Sequence, residues 1–289
     1  MAGTTVALSF DPSSRKSRRP SLARCMGVTL YLIWASAFVA IVYTVCSGWD
    51  SSKVAKFAPR YLEGAATTLS LVSVSAALGF ALSLVLVRGR MSQSAALSWP
   101  AWCYVHAFRG TPLLAQLFLI YYGLGSYHAA LQQAGLWWFF REPWNCGLLA
   151  LTLNTAAYQT EILRGAIESV PRGQWEAARS LSLAKTTMMR RVILPQALII
   201  AVRPYGNEVI LLVKGSAIVA IISVFDLMGH TRYAFSQTFD YQTYIWAAIF
   251  YLIIVGFVGA VVNQVERFLT RHLSRAKPGR LAKEQPKVP

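Results

Sequence analysis

Acidic residues are scarce in this chain of 289 residues: 12 Asp and Glu stand against 28 Lys and Arg, and charged side chains make up only 14%. Soluble domains carry about 25%. With 55% hydrophobic residues and a mean hydropathy of +0.43, the chain has too few charges to cover a soluble globule. Cysteine and histidine are also rare, four each, at Cys25, Cys46, Cys103 and Cys146 and at His106, His128, His230 and His272. No CxxC, HExxH or tight cluster occurs among them, which argues against a metal or redox site. Cys46 and Cys146 could be bridged only if both lie at one face of a membrane, and nothing in their spacing requires it. A phosphate loop of the form GxxxxGK[ST] is absent too, so any ATP-driven work would need a separate polypeptide.

What the chain does have is long apolar runs of about 20 residues, the length of helices crossing a hydrocarbon core of ~30 Å rather than of barrel strands. The net charge of +16 sits in short segments beside those runs, as orientation signals do, without the interleaved aromatics of a nucleic-acid surface. The expected fold is therefore an all-α integral membrane protein with about six transmembrane helices.

In chain order, residues 1–25 form a basic tail and 26–46 an uncharged first span. Ser17-Arg18-Arg19 has the look of a twin-arginine signal and Ala35-Ser36-Ala37 of a cleavage tripeptide. The apolar run continues past Ala37, however, and further spans follow, so an uncleaved anchor is the better reading. Trp49–Glu63 is expected to be an outward polar segment, Gly64–Val87 span two and Trp99–Leu124 span three. Gly110, Thr111 and Pro112 predict a kink or break in that third span. Residues 125–144 hold Trp137, Trp138, Phe139, Phe140 and Trp144, an interfacial aromatic belt. Cys146–Ile167, Gln196–Val224 and Tyr244–Val265 make spans four to six, and 266–289 is a second basic tail. With both termini inside, twenty cations fall on inner segments and five on outer ones, in keeping with the positive-inside rule.

Between spans four and five lies a polar interruption, 169–195. Its halves read as two short amphipathic helices: Pro171 in the first turn, then Trp175, Ala178 and Leu181 along one face, with Arg172, Glu176 and Arg179 on others. Ser182–Ala184 is a bend. Lys185–Leu194 restarts the period with Met188, Met189 and Val192 against Arg190 and Arg191, and Pro195 closes the segment.

Within the spans, Glu161 is the sharpest candidate for function. A carboxylate in a membrane helix costs about 2.5–3.5 kcal/mol on insertion scales unless it is partnered. Asn154, Tyr158 and Glu161 recur at i, i+4 and i+7, one polar stripe facing a cavity or another helix. Two readings stay open: a contact for a cationic group in transit, or a local pair with Arg164. In span five, Glu208 and Lys214 are spaced too badly to pair and should each find a partner on another helix; Lys214 and Ser216 are candidates for the pathway, with snorkelling of Lys214 the plainer alternative. Arg203 and Glu208 are expected to pack against the polar interruption.

A family resemblance is carried by the polar interruption and by three longer stretches. Glu176-Ala177-Ala178, the small Ser182 six positions on, and Leu194-Pro195 resemble the EAA loop of ABC-transporter permeases, with Ser182 where that family usually has Gly and Val192 where it has Ile. RGTPLLAQLFLIYYG from Arg109, NTAAYQTEILRGAIESVPRGQWEAAR from Asn154, and PYGNEVILLVKGSAI from Pro204 are similar to permeases for histidine, lysine, arginine and opines. The resemblance implies a five-helix type I ABC importer permease core over 64–265, with the first span as an addition. It implies that 169–195 forms coupling helices, with Trp175, Glu176, Ala177, Ala178, Arg179, Ser182, Leu194 and Pro195 addressing a cytoplasmic ATPase that binds ATP and Mg. This chain would bind no cofactor. Further implied partners are a second permease (a sister chain or a copy of itself), an extracytoplasmic substrate-binding protein and the lipid bilayer, with no nucleic acid. The implied location is a bacterial inner membrane, and the implied mechanism is alternating access. A permease of the same fold for another small polar solute is the alternative. A membrane enzyme lacks a catalytic constellation here, and a secondary transporter or channel lacks internal duplication.

Overall fold

The computed structural model describes residues 22–47 and 50–270, and every regular element among them is helical. Most of both basic tails, the Ser17-Arg18-Arg19 motif and Trp49 lie outside the described residues. The chain divides at Ser51 into two compact units. The first holds α1 (Leu22–Ser47), an uncharged helix from Met26 onward, in which the hydroxyls of Ser36 and Thr44 donate to the carbonyls of Ile33 and Ala40. Such back-bonding disposes of a polar group where no water is at hand.

The second unit starts with α2 (Ser51–Arg90), 40 residues without interruption. The stretch expected as an outward segment up to Glu63 is thus its first turns. Lys53, Lys56, Arg60 and Glu63 hide an inward stripe: Phe57 and Tyr61 are buried, and the Tyr61 hydroxyl donates to the carbonyl of Thr243 at 2.8 Å. Pro59 is carried inside this helix. Next come α3 (Ala95–Gly110) and α4 (Leu113–Phe118), the latter extended by a π-helical turn over Leu119–Gly123. Short helices α5 (His128–Gln133) and α6 (Trp137–Phe140) carry the aromatic run.

The centre of the unit is α7 (Pro143–Glu168), 26 residues that span about 39 Å at ~1.5 Å per residue. It packs along α3 and along α10 (Leu194–Ser216), and α10 packs along α12 (Gln242–Thr270). Small residues make this closeness feasible: Gly147, Ala150, Thr155, Ala156 and Ala157 of α7 are all buried. A methyl added at Gly79 of α2 would lie 2.6 Å from the Thr155 methyl. A 3₁₀ turn (Ala217–Ile222) and α11 (Leu227–Thr238) link α10 to α12.

Among the described residues, four stretches are long and apolar enough to cross a membrane: Met26–Thr44, Ser52–Arg90, Lys185–Ile222 and Gln242–Thr270. The third expected span is broken between α3 and α4, and the fourth, α7, carries a polar stripe.

The polar interruption has a sharper form than the periodicity suggests. Pro171 is extended (φ −51°, ψ 135°) and precedes α8 (Arg172–Ser180) rather than sitting in its first turn. Its second arm is no separate helix: α9 (Lys185–Met188) runs through a π turn at Met189–Ile193 straight into α10. Pro195 therefore does not end the segment. Its missing N–H and its ring, which would crowd the carbonyl one turn back, are accommodated by the wider π turn just before it. Both arms rest on an apolar cluster in which Val87 of α2, Ile167 and Val170 meet Ala178, Met188 and Ile193.

Candidate functional site

Two assemblies concentrate the functional candidates. The first is the hairpin of α8 and α9. Ala178 is buried and Trp175 half-buried against the apolar cluster, while Gly173, Glu176, Ala177 and Arg179 are open. Leu181, expected on the packed face, is 73% exposed. The reason is the way α8 ends. Ser182 takes a left-handed conformation (φ 51°), its N–H donates to the Arg179 carbonyl at 2.8 Å, and the Leu183 N–H reaches back to the Ala178 carbonyl at 3.2 Å. That pair of bonds is a Schellman cap. It reverses the chain so that Leu183, not Leu181, packs against the cluster that holds Ala178. The arms are tied by Gln196, whose amide donates to Gln174 at 3.2 Å.

The second assembly lies on α7. Gly110 ends α3, and Thr111 and Pro112 are extended before α4 starts. The carbonyls freed at that break are taken by Gln116, whose amide donates to the Phe108 carbonyl at 2.8 Å and to the Thr111 carbonyl and hydroxyl at 3.1 and 2.8 Å. Asn154 braces it, donating to the Gln116 side-chain oxygen at 2.9 Å and to the Phe108 carbonyl at 3.3 Å. Asn154 thus holds the break in place. Two turns further, Glu161 is ringed by arginines. Its Oε2 accepts from Arg164 at 2.8 and 3.1 Å, its Oε1 accepts from Arg90 of α2 at 3.2 Å, and Arg109 lies 4.0 Å away with its guanidinium over the Tyr158 ring. The local pair with Arg164 exists, and it is only part of the arrangement. No sequence spacing points to Arg90, 71 positions earlier.

On α10, Glu208 is buried and accepts from the Thr155 hydroxyl at 2.9 Å, and Thr155 in turn accepts from Gln159. Its partner is on another helix, as expected, but it is α7 and not the hairpin. Arg203 likewise turns to Glu266 of α12, at 2.7 Å. Lys214 is exposed, whereas Ser216 is buried with its hydroxyl on the Val213 carbonyl. Among the described residues no three His, Cys, Asp or Glu side chains gather as metal ligands. The chemistry on offer is charge recognition within helices, together with one open helical face.

A family model for the binding-protein-dependent transport system inner membrane component matches residues 77–275. The chain belongs to that family. Among curated relatives, the nopaline transport system permease protein NocM of Agrobacterium fabrum is 40% identical over 222 residues, 76% of this chain and 92% of the relative. The histidine/lysine/arginine/ornithine transport system permease protein HisM of Salmonella typhimurium is also 40% identical, over 73% of this chain and 90% of its own length. Of solved structures, an amino acid ABC transporter crystallised with histidines superposes with a TM-score of 0.68 at 34% identity, covering 76% of this chain and 98% of that one. The MetNI methionine ABC transporter in an inward-facing form shares the fold, with a TM-score of 0.60 at 21% identity.

In this permease the cap of α8 is made by a residue ill-suited to it. A left-handed backbone costs a side chain roughly 1 kcal/mol that glycine avoids. Ser182→Gly is expected to stabilise the hairpin by about 0.5–1 kcal/mol, read as slower hydrogen exchange of the Leu183 amide. Unchanged or faster exchange would show that the bend carries no such strain. Leu194 and Pro195 lie at the root of the second arm, inside the continuous helix.

Proposed function

We propose that this chain is the membrane-spanning permease of an ATP-driven importer of polar amino acids or opines. The observation that carries the reading is the construction of α8: one face is fixed to the ends of α2 and α7 through Val87, Ile167 and Val170, and the other is open, small and flanked by charge. A rigid lever of that kind suits docking in a groove of a separate ATPase that binds ATP and Mg. The hairpin end and both termini are assigned to the cytoplasm, in agreement with the cation count along the chain. Six spans then follow, with α3–α4 as the broken third and α7 as the polar fourth.

The substrate class comes from the relatives, which are named as transport permeases for nopaline and for histidine, lysine, arginine and ornithine. The polar stripe Asn154–Tyr158–Glu161 beside the α3–α4 break is assigned to the transport route, with Glu161 meeting a cationic group and Lys214 and Ser216 further along. ATP drives the spans between outward- and inward-open states through its differential binding to the two. A second permease completes the pathway, and an extracytoplasmic binding protein delivers the solute. The test is ATPase activity of the chain purified with its genomic neighbours, in the presence of liganded binding protein. Stimulation by one polar amino acid or opine is the expected result; ATPase indifferent to every liganded binding protein overturns the reading.

A further inference from the structure

The two oxygens of Glu161 are both occupied by the protein's own guanidinium groups, and the two occupants are unlike. Arg164 belongs to the same helix. It makes two hydrogen bonds to Oε2, at 2.8 and 3.1 Å, while its NH1 reaches both oxygens of Glu168 at 2.7 Å. That arrangement persists however neighbouring helices move. Arg90 comes from the last turn of α2. It offers a single bond, Nε to Oε1 at 3.2 Å, and its side chain makes no other hydrogen bond among the described residues. Arg90 and Glu161 are each only 15% exposed, so Oε1 is sheltered from bulk water and its partner is another helix's cation. Arg109, 44% exposed and 4.0 Å from Oε2, makes no hydrogen bond at all among the described residues.

We infer that Arg90 is a specificity-determining residue that acts as a displaceable internal stand-in for a basic substrate's cationic group at Glu161 Oε1. The inference rests on the reading of this chain as an amino-acid permease with Glu161 on the route. A guanidinium or ammonium entering the site seeks the acceptor that Arg90 holds, so its apparent affinity is lowered by the fraction of time Arg90 is seated. A neutral substrate of the same shape offers that oxygen only uncharged N–H donors, whose bonds are about half as strong, so it gains less there and meets weaker competition. Arg90 therefore narrows the advantage of cationic over neutral amino acids. Its displacement also has a mechanical sequel. Gly89, next in the chain, is so close to α3 that a methyl there would lie 2.9 Å from Ala101, and Val87 packs in the cluster that supports Ala178 and Met188 of the hairpin. Loss of the Arg90 contact thus removes one of the ties on the end of α2 that packs in the hairpin's cluster.

The experiment is equilibrium binding of radiolabelled L-arginine and its neutral counterpart L-citrulline to the complete permease–ATPase complex in lipid nanodiscs. Wild type, Arg90→Gln, Arg90→Lys, Glu161→Gln and the Arg90→Gln/Glu161→Gln double variant are compared. Arg90→Gln should raise arginine affinity about tenfold and move citrulline less than twofold. Arg90→Lys should resemble wild type. In the Glu161→Gln background the Arg90 change should no longer alter the arginine-to-citrulline ratio. A ratio left unchanged by Arg90→Gln, equal weakening of both ligands, or binding of neither ligand to any variant overturns the inference. Should wild-type ATPase fail to respond to liganded binding protein, the permease reading falls instead.

Discussion

Ala177→Arg and Leu181→Asp are each expected to reduce binding-protein-stimulated ATP hydrolysis about 30-fold or more while leaving the permease folded. Neither side chain supports the hairpin. Ala177 is exposed, Leu181 is 73% exposed, and the residues that hold α8 to the bundle are Trp175, Ala178 and Leu183. Substitutions on such a surface shift stability by about 0.5 kcal/mol or less. Ala177 and Leu181 are one turn apart on the open face, between Arg172, Glu176 and Arg179. A small residue beside a solvent-facing leucine is what a groove can close over. A bulky cation in place of the small residue, or a buried carboxylate in place of the leucine, removes a central contact, and central contacts are worth about 2 kcal/mol or more. Copurification with the ATPase and the melting temperature of the complex separate the outcomes. Variants that retain the ATPase in wild-type ratio would sink the docking assignment. Leu183→Asp makes the contrast: it should lower the melting temperature, because Leu183 packs inward at the Schellman cap.

The same few residues indicate how much was legible beforehand. The hairpin's existence, its Trp175–Ala178 face and the bend at 182–184 follow from residue types and helical spacing, whereas Ser182 stands out only against the Gly usual in the resembled family. The exchange of Leu181 for Leu183 does not, since a periodicity cannot show where a left-handed residue will turn the chain. The start of α2 was hidden for a related reason: four ionised residues between Lys53 and Glu63 outweigh Phe57 and Tyr61 in any average, though it is Tyr61 that reaches Thr243. Pro195 reads as a stop until a π turn is seen to absorb it. At Glu161 the neighbour one turn away was readable and the neighbour on α2 was not, because a tertiary contact between residues 71 apart leaves no local trace.

Gly64→Val should leave no folded permease, the largest stability effect expected of any single change here. A Cβ at Gly64 would sit 2.8 Å from the Leu227 Cα, 2.9 Å from the Asp226 carbonyl oxygen and 3.0 Å from the Asp226 carbonyl carbon. These are backbone atoms, so no rotamer relieves the overlap and the turn at 223–227 would have to withdraw. That turn has nowhere to go. Ser223 is left-handed (φ 66°), the Leu227 N–H donates to the Thr68 hydroxyl at 3.1 Å, and the Asp226 carboxylate caps α11 through the Gly229 N–H at 2.8 Å. Gly229 is itself locked, since a methyl there would meet the Val224 carbonyl oxygen. Burial pushes the Asp226 carboxyl up to about 6 against the pull of the Gly229 and Met228 N–H groups, so this charge depends on keeping its donors. Overpacking costs about 1–3 kcal/mol, and losing a cap about 0.5–2 kcal/mol more. Their sum approaches the whole stability of a domain, about 5 kcal/mol at the low end. Gly256→Ala provides the control in the same thermal-melt assay: nothing lies within 4 Å of that position on α12, and alanine in an open helix position should hold or raise the melting temperature. If Gly64→Val and Gly256→Ala melt together, α2 does not approach the 226–227 turn as described, and the frame that holds α11 against α2 must be built some other way.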